Sequence, residues 1–543
     1  RCRTCALERT LLLMFGILPL VPPLAPLYAE IHYRFPYFMS FLSKPEPEVV
    51  ADAPHRVEPG QPIPILLLAK DGDRHPAVLR DAVATLRSGD QERCIAFTSA
   101  PIHLRDHWWW TVCEAPTDGM HGWVDCDVRF TIDAGHGARA YANDNYRTTS
   151  HAPLRVFVSR EPLPRIPGLL LGEGHSHSHA TSDQVEFGAP PGAARALGKR
   201  LGLDFACITD HSYDLDDRGD DYLHNDPLFP KWKDLRHEIE VLNESLGMVL
   251  VCGEEVTCRN ASGRNIHCLV LGDEQFHPGS GDSAERWLRT RSELSVEELL
   301  DRVSPNAAVI AAHIRERVPF LQRLLLGRGR WEDNDLSRRG LHAIQFWNGA
   351  TDHGFESGRS AWVQALLEGH RLGILAGNDA HGNFNRFRQL SVPFVALRES
   401  DHQLFGRVRL GVLASERSDR AIVDAARSRK TIATDGPVAV LSDSNGRHCV
   451  GEMLQAPASL TIEARSSSEF GGLAEVLVWK GHLGSKSEEL LQRWNLDGAR
   501  AWRDDLTVED LRPHYIRVEV RTHPGEQDGR SHRCLTSPVW FGV

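Results

Sequence analysis

The sequence has no surplus of positive charge: 62 Lys and Arg stand against 73 Asp and Glu, a formal net charge of -11 over 543 residues. A protein that grips a nucleic-acid backbone needs excess cations to displace counterions, so that class is disfavoured, and only a local basic pocket remains compatible. Beyond the first thirty residues there is no apolar run long enough to cross a bilayer. A Gly-x-Ser-x-Gly elbow is missing, because Ala261-Ser262-Gly263 lacks the first glycine, and with it goes the usual serine-nucleophile turn. Glycine-rich phosphate loops and dinucleotide fingerprints are absent too, and no repeat suggests a solenoid or propeller. The eleven cysteines form no metal pattern: Cys2-x-x-Cys5 has no second half. An odd number cannot pair completely. Cys94, Cys113 and Cys126 lie close enough to include one disulfide, whereas Cys207, Cys252 and Cys268 fall in apolar strand-like runs and read as buried thiols.

What is present describes a folded, water-facing chain. Hydrophobic residues make up 41% and charged residues 25%, ordinary globular values, and the length calls for roughly three or four domains. Residues 1–30 resemble a secretory leader: Arg1, Arg3 and Arg9 precede an apolar stretch from Leu11 to Ala29 that ends on a small residue. Four prolines make that stretch a poor spanning helix, so export, periplasmic or with a membrane tether, is expected rather than a cytoplasmic location. Residues 31–165 alternate short strand-like runs with Gly, Pro and Asp, as in an immunoglobulin-like sandwich. Residues 166–435 alternate strands (Leu203 to Thr209, Met248 to Gly253, Ala307 to Ala312, Leu341 to Trp347, Leu372 to Ala376) with helices (Gly192 to Leu201, Ser295 to Arg302, Ser357 to Gly369). Ser295-Val296-Glu297-Glu298 is a capping box. Such alternation predicts parallel strands with crossover helices, in an α/β barrel or a doubly wound sheet. Residues 436–543 return to β texture.

Histidine, at 27 residues, is the abundant chemistry-bearing type, and imidazole is the commonest metal ligand. Its densest stretch runs Glu173-Gly174-His175-Ser176-His177-Ser178-His179-Ala180-Thr181-Ser182-Asp183. Alternate residues of an extended segment share a face, so His175, His177 and His179 can act together. Other ligand types follow strands: Asp210-His211 after Phe205 to Ile208, Glu255 after Val249 to Gly253, His313 after Ala308 to Ala312, and Asp379-Ala380-His381 after Gly373 to Gly377. Carboxyl ends of parallel strands are where α/β folds gather reactive groups. His267 is the exception, since it opens its strand. Imidazoles mixed with carboxylates, without thiolates, suit Zn, Mn or Fe. A carboxylate such as Glu255 can bridge two ions that together activate a hydroxide, which points to hydrolysis.

His175-x-His177 near Ser182-Asp183, Gly202-Leu203-Asp204-Phe205 leading to Ile208-Thr209-Asp210-His211, Gly253-x-Glu255-Val256-Thr257, His267, His313 and Gly377-Asn378-Asp379-Ala380-His381 resemble, in order, the motifs of the polymerase-and-histidinol-phosphatase (PHP) family. The block Ile344-Gln345-Phe346-Trp347-Asn348-Gly349, with Trp362, Gly369 and the β-rich tail, is similar to its carbaryl-hydrolase branch. The resemblance implies a distorted (β/α)7 TIM-like barrel with flanking β-sandwich-like domains and two or three divalent ions. One ion would lie on His175, His177, Glu255 and Asp379. A second would take Glu255, His267 and His313, and a third His211, His381 and either His179 or Asp183, which sits one residue later than the family spacing.

The expected function is that of a metal-dependent hydrolase, foremost a phosphoesterase, with an amide, carbamate or ester hydrolase on the same centre as the alternative. A non-catalytic binding protein is a further reading. Glu255, Asp379, His211 and His313 are the candidate catalytic residues. Arg259 and Arg315, whose guanidinium forks match phosphate oxygens, are with Asn348 the candidate substrate contacts; Arg264, Arg317 and Arg386 also fall near the proposed ligands. The partner expected is a small-molecule substrate, with neither nucleic acid nor a stable protein partner.

Overall fold

The computed structural model describes residues 45–146, 151–182, 187–219, 221–283, 290–318, 320–386, 389–392, 395–398 and 402–542. The leader-like segment and Asp183 therefore lie outside the described residues.

The chain is mixed α/β and rich in strand. In the N-terminal part, Glu48–Asp52, Ile63–Lys70 and Trp108–Ala115 form one antiparallel sheet. A second sheet, built around Ala77–Ser88 and Gly122–Asp133, faces it. The unbroken run Ile63 to Leu68 shows why strands need not alternate. Ile63, Ile65 and Leu67 fill the space between these sheets, while Leu66 and Leu68 point the other way, into the core of the central part. Both faces are covered, so both are apolar.

Seven strands of the central part carry the candidate site: β1 (Leu169–His177), β2 (Phe205–Ile208), β3 (Val249–Arg259), β4 (Asn265–Leu271), β5 (Ala308–Ala311), β6 (Ala343–Asn348) and β7 (Gly373–Gly377). They pair in sequence order. β1, β2 and β3 are parallel, as are β5, β6 and β7. β4 departs from the expected all-parallel pattern, being antiparallel to both β3 and β5. The reason is local: residues 260–264 turn directly from β3 into β4, leaving no length for a crossover helix. Beyond β7 the chain returns to β1, with Ser176 bridged to Ala380, His177 to His381, and the Asp379 N–H donating to the His175 carbonyl at 2.9 Å. Glycine makes that approach possible. A Cβ on Gly174 would lie 2.1 Å from the Ala376 carbonyl oxygen, and one on Gly377 would lie 2.6 Å from the His175 Cβ.

The three helices expected from periodicity are present as Pro191–Leu201, Val296–Arg302 and His353–Leu367. The capping box holds, with Glu298 N–H donating to Ser295 Oγ at 3.2 Å and Ser295 N–H to Glu298 at 2.7 Å. The third helix begins earlier than its apolar residues indicate, because Asp352 caps it through the Phe355 N–H. On its far side β1 pairs with Arg409–Leu413, which leads through Thr431–Thr434 into the C-terminal strands, so the sheet continues from one part to the next.

No disulfide joins Cys94, Cys113 and Cys126; all three are free. Cys94 pairs with Thr85 and Cys126 with Leu86. Successive residues of a strand face opposite ways, so the two thiols lie on opposite faces of one sheet. Cys113 is in the other sheet. Cys207 and Cys268 are buried as expected, while Cys252 is half-buried beside Arg236.

In the C-terminal part His532 sits between Asp435, 3.4 Å away, and Asp528, 3.3 Å away. Burial opposes charge on the ring, but the two carboxylates outweigh it and lift its pKa to about 9. A group raised on folding stabilises fully below its unfolded value, roughly 6.5, and that contribution is lost as pH climbs through the folded value. Stability should therefore decline between about pH 6.5 and 9, by at most about 3 kcal/mol from this group. His532→Gln should flatten that limb of the urea midpoint against pH; an unchanged slope would refute the assignment.

Candidate metal centre

The site is assembled at the rim where β1, β2, β5 and β7 end and β4 begins, with Glu255 inside β3 and not after it. His175 and His177 face one way from β1, two residues apart, and Asp379 follows β7 in a left-handed conformation (φ 54°). His313 follows β5 with φ 29°. Non-glycine residues seldom adopt positive φ, and such strain gathers at functional sites.

Glu255 is the hub. Its Oε2 lies 3.1 Å from His175 Nε2, 3.3 Å from His177 Nε2 and 3.2 Å from His211 Nδ1. Its Oε1 lies 2.7 Å from His267 Nδ1 and 2.9 Å from His313 Nε2. Asp379 Oδ1 adds contacts of 3.3 Å to His175 and 3.0 Å to His177. The His381 ring stacks on His177 with centroids 4.0 Å apart. The antiparallel sense of β4 explains His267: a strand running backwards presents its beginning at the rim where its neighbours end. The exception thus joins the cluster.

These groups fit bound cations. His177, His211 and His381 form one set whose ligand atoms all lie within 4.8 Å of one another; so do His175, His177, Glu255 and Asp379; so do His211, Glu255 and His267. His313 falls in a fourth set with Glu316 and Asp379, so the expected grouping of Glu255, His267 and His313 differs from the structure, where His211 takes the place of His313 beside Glu255 and His267. The side chains of His175, His177, Glu255 and Asp379 are wholly buried. Burial works against ionisation of Glu255 and Asp379, yet facing imidazoles, His175 foremost, hold both carboxyls well below the usual range. Burial likewise opposes charge on His177, but Asp379 and Glu255 raise it to about 10. His381 goes the other way, to about 3, through burial and the neighbouring His177. Imidazoles converging on so few buried carboxylates make groups that could hold a metal ion.

Surrounding groups aim the ligands. Gln345 Oε1 lies 3.0 Å from His175 Nδ1, leaving Nε2 toward the centre. Asp282 lies 2.9 Å from His267 Nε2, leaving Nδ1 toward Glu255. Glu173 accepts from the His175, Asn378 and Gly406 N–H groups and from the Asn378 side chain. Burial nevertheless pushes its carboxyl up to about 7. Glu173 was legible in principle, since it extends the two-residue period of His175 and His177. Asp282 carries no such signal: it comes from a loop that only the fold brings to His267.

Other expected residues lie apart from the ligand sets. β1 ends at His177, and Asp210 then turns the chain by accepting from Ser178 N–H (2.7 Å), Ser178 Oγ (2.8 Å) and Thr181 N–H (3.0 Å). His179 consequently swings outward, against Trp108 and 3.8 Å from Glu238. Among the described residues the set around His211 and His381 is completed by His177; of the two expected third-ion ligands, His179 is not part of it and Asp183 lies outside the described residues. Arg259 is spent on the Ser292 carbonyl and Glu298, and Arg315 on the Trp331 carbonyl and Asp333. Neither faces the centre. Arg264 donates to the Arg323 carbonyl, and Arg386 is buried against Ala51. Asn348 does reach the cluster, with Nδ2 3.4 Å from Asp379 Oδ2.

No protein-family model matches the chain, and no curated protein matches it. Among solved structures, an Escherichia coli alpha-2-macroglobulin fragment running from domain MG7 to the C-terminus aligns over 92% of this chain and 100% of its own, at 9% identity and a TM-score of 0.17. A likeness that weak carries no argument.

Proposed function

We propose that the chain is a metal-dependent hydrolase of the PHP type, foremost a phosphoesterase, and that the seven site-bearing strands are its distorted (β/α)7 barrel. The observation that carries this reading is Glu255: one buried carboxylate facing five imidazoles from four separate segments. The return of the chain from β7 to β1 supports the barrel.

His175, His177, Glu255 and Asp379 would hold one ion, and His211, Glu255 and His267 another; His177, His211 and His381 would hold a third. Divalent ions there would supply an acidified water and neutralise charge on the substrate oxygens. The protein's own part is orientation and exclusion of solvent. Gln345 and Asp282 fix the rings of His175 and His267, and Glu173 with Asn378 fixes the backbone that bears His175 and Asp379. His313, less buried than the other imidazoles, sits between Glu255 and Glu316 on the wall of an open cleft, where it meets both the centre and an incoming substrate.

The test is elemental analysis of the purified protein, joined to hydrolysis of p-nitrophenyl phosphate and naphthyl carbamate before and after chelation. Two or three equivalents of Mn, Zn or Fe with chelator-sensitive phosphate release are expected. His313→Ala should lower that release by about a hundredfold or more, as loss of a group acting on the reacting atoms does. Carbamate turnover alone would favour the second reading, to which the apolar Ile266, Ala312 and Val318 in the cleft wall lend support. No metal and no turnover after reconstitution would refute an enzymatic role.

A further inference from the structure

Arg409 is a buried cation at the seam where three parts of the chain meet. It opens the strand Arg409–Leu413, which pairs with β1. His55 and Arg56 from the N-terminal part, and Glu469 from the C-terminal part, are close enough to interact with its charge. The side chain is 1% exposed. Phe470 covers one face of the guanidinium, with Cζ 5.0 Å from the ring centre. Nη1 donates to the Gly406 carbonyl at 3.1 Å. Among the described residues, Nε and Nη2 meet no acceptor.

The neighbouring carboxylate is already taken. Glu469 Oε1 accepts from Arg56 Nε at 2.8 Å, and its Oε2 accepts from Arg56 Nη2 at 3.0 Å and from Ser159 Oγ at 2.8 Å. Arg56 Nη1 also donates to Glu58 at 2.8 Å. The edge by which Arg56 grips Glu469, Nε with Nη2, is the edge that Arg409 leaves unfilled. Positive charge gathers around it. Burial, then Arg407, Arg409 and Arg56, hold the His55 ring well below its usual value. Burial and then Arg56 push Arg409 itself down to about 10. A guanidinium keeps its proton near neutral pH, so two charged donors stay enclosed without an acceptor, which is costly.

We propose that a small monovalent anion of chloride size binds the Nε–Nη2 edge of Arg409 and joins the three parts of the chain there. Parallel charge-assisted donors favour an anion. One negative charge answers the one guanidinium left unmatched, and His55, Glu469 and Phe470 are all buried, so a small ion suits the place. The site also bears on the support of the candidate metal centre, since Gly406, which accepts from Arg409, donates its own N–H to Glu173 at 2.7 Å. The inference needs no part of the hydrolase reading.

The experiment follows the thermal midpoint of the metal-loaded full chain as chloride replaces gluconate at fixed ionic strength. The midpoint should rise by about 2 °C and level off, as mass action on a single native-state site requires. Arg409→Met should remove that rise, whereas Arg338→Met, on the surface against Glu297, should keep it. Bromide diffused into crystals of the wild-type protein should give an anomalous peak against Arg409 Nε and Nη2, a readout that stands even where R409M fails to fold. A chloride rise equal in R409M and wild type overturns the inference, as does a wild-type midpoint indifferent to chloride. An ordered water at those two donors, with no bromide peak, overturns it as well.

Discussion

Glu255→Gln is expected to drop hydrolysis by at least about a thousandfold while leaving the fold in place, because this one carboxylate serves two ligand sets at once. Glutamine keeps the volume and the Oε1 position but removes the charge that His175, His177, His211, His267 and His313 converge on. Bound metal should fall to at most one equivalent by elemental analysis. Two of the sets, His175-His177-Glu255-Asp379 and His211-Glu255-His267, share this carboxylate, whereas His177-His211-His381 does not. The pattern of loss is therefore diagnostic: the ion that survives should be the one held by imidazoles alone. Full metal content and turnover in E255Q would remove Glu255 from the centre and the multinuclear reading with it.

Chelation should destabilise the protein in a metal-specific way. Each ion bound to the native state alone, at about a thousand times its Kd, contributes about 4 kcal/mol. Two such ions would lower the thermal midpoint by many degrees when removed, and added Mn, Zn or Fe should restore it. The effect should be large because the ligands are buried: without cations, carboxylates and imidazoles are left facing one another with little water to screen them. Asp379→Asn should shrink the chelator response and lower the midpoint of the untreated protein, since it removes charge from the His175-His177 set. A midpoint indifferent to chelator in the wild type would argue that no structural energy comes from metal at this site. The C-terminal His532 effect is separable, since it follows pH and not chelator.

Much of the site was written locally. His175 and His177 share a face because a strand has period two, and His211, Glu255, His313 and Asp379 follow apolar runs that could be read as strands without any structure. The resulting set of candidate ligands depends only on short-range order, which sequence encodes directly. Where the reading went astray, the cause was long-range. That β4 runs antiparallel depends on a five-residue connection and on which neighbours it finds; only then does His267 arrive at the same rim as the rest. His179 continues the period of His175 and His177 on paper, but Asp210, from another segment, ends the strand first. Arg259 and Arg315 have the right chemistry, and their partners Glu298 and Asp333 turn them away. Asp282 sits in a loop with no periodicity, so no local pattern could select it. The sequence by itself determined the kind of ligand and the strands that carry them, because spacing along one strand fixes which face a side chain occupies. Only the tertiary structure decided which donors converge on Glu255, because those contacts join segments whose separation along the chain carries no geometric information.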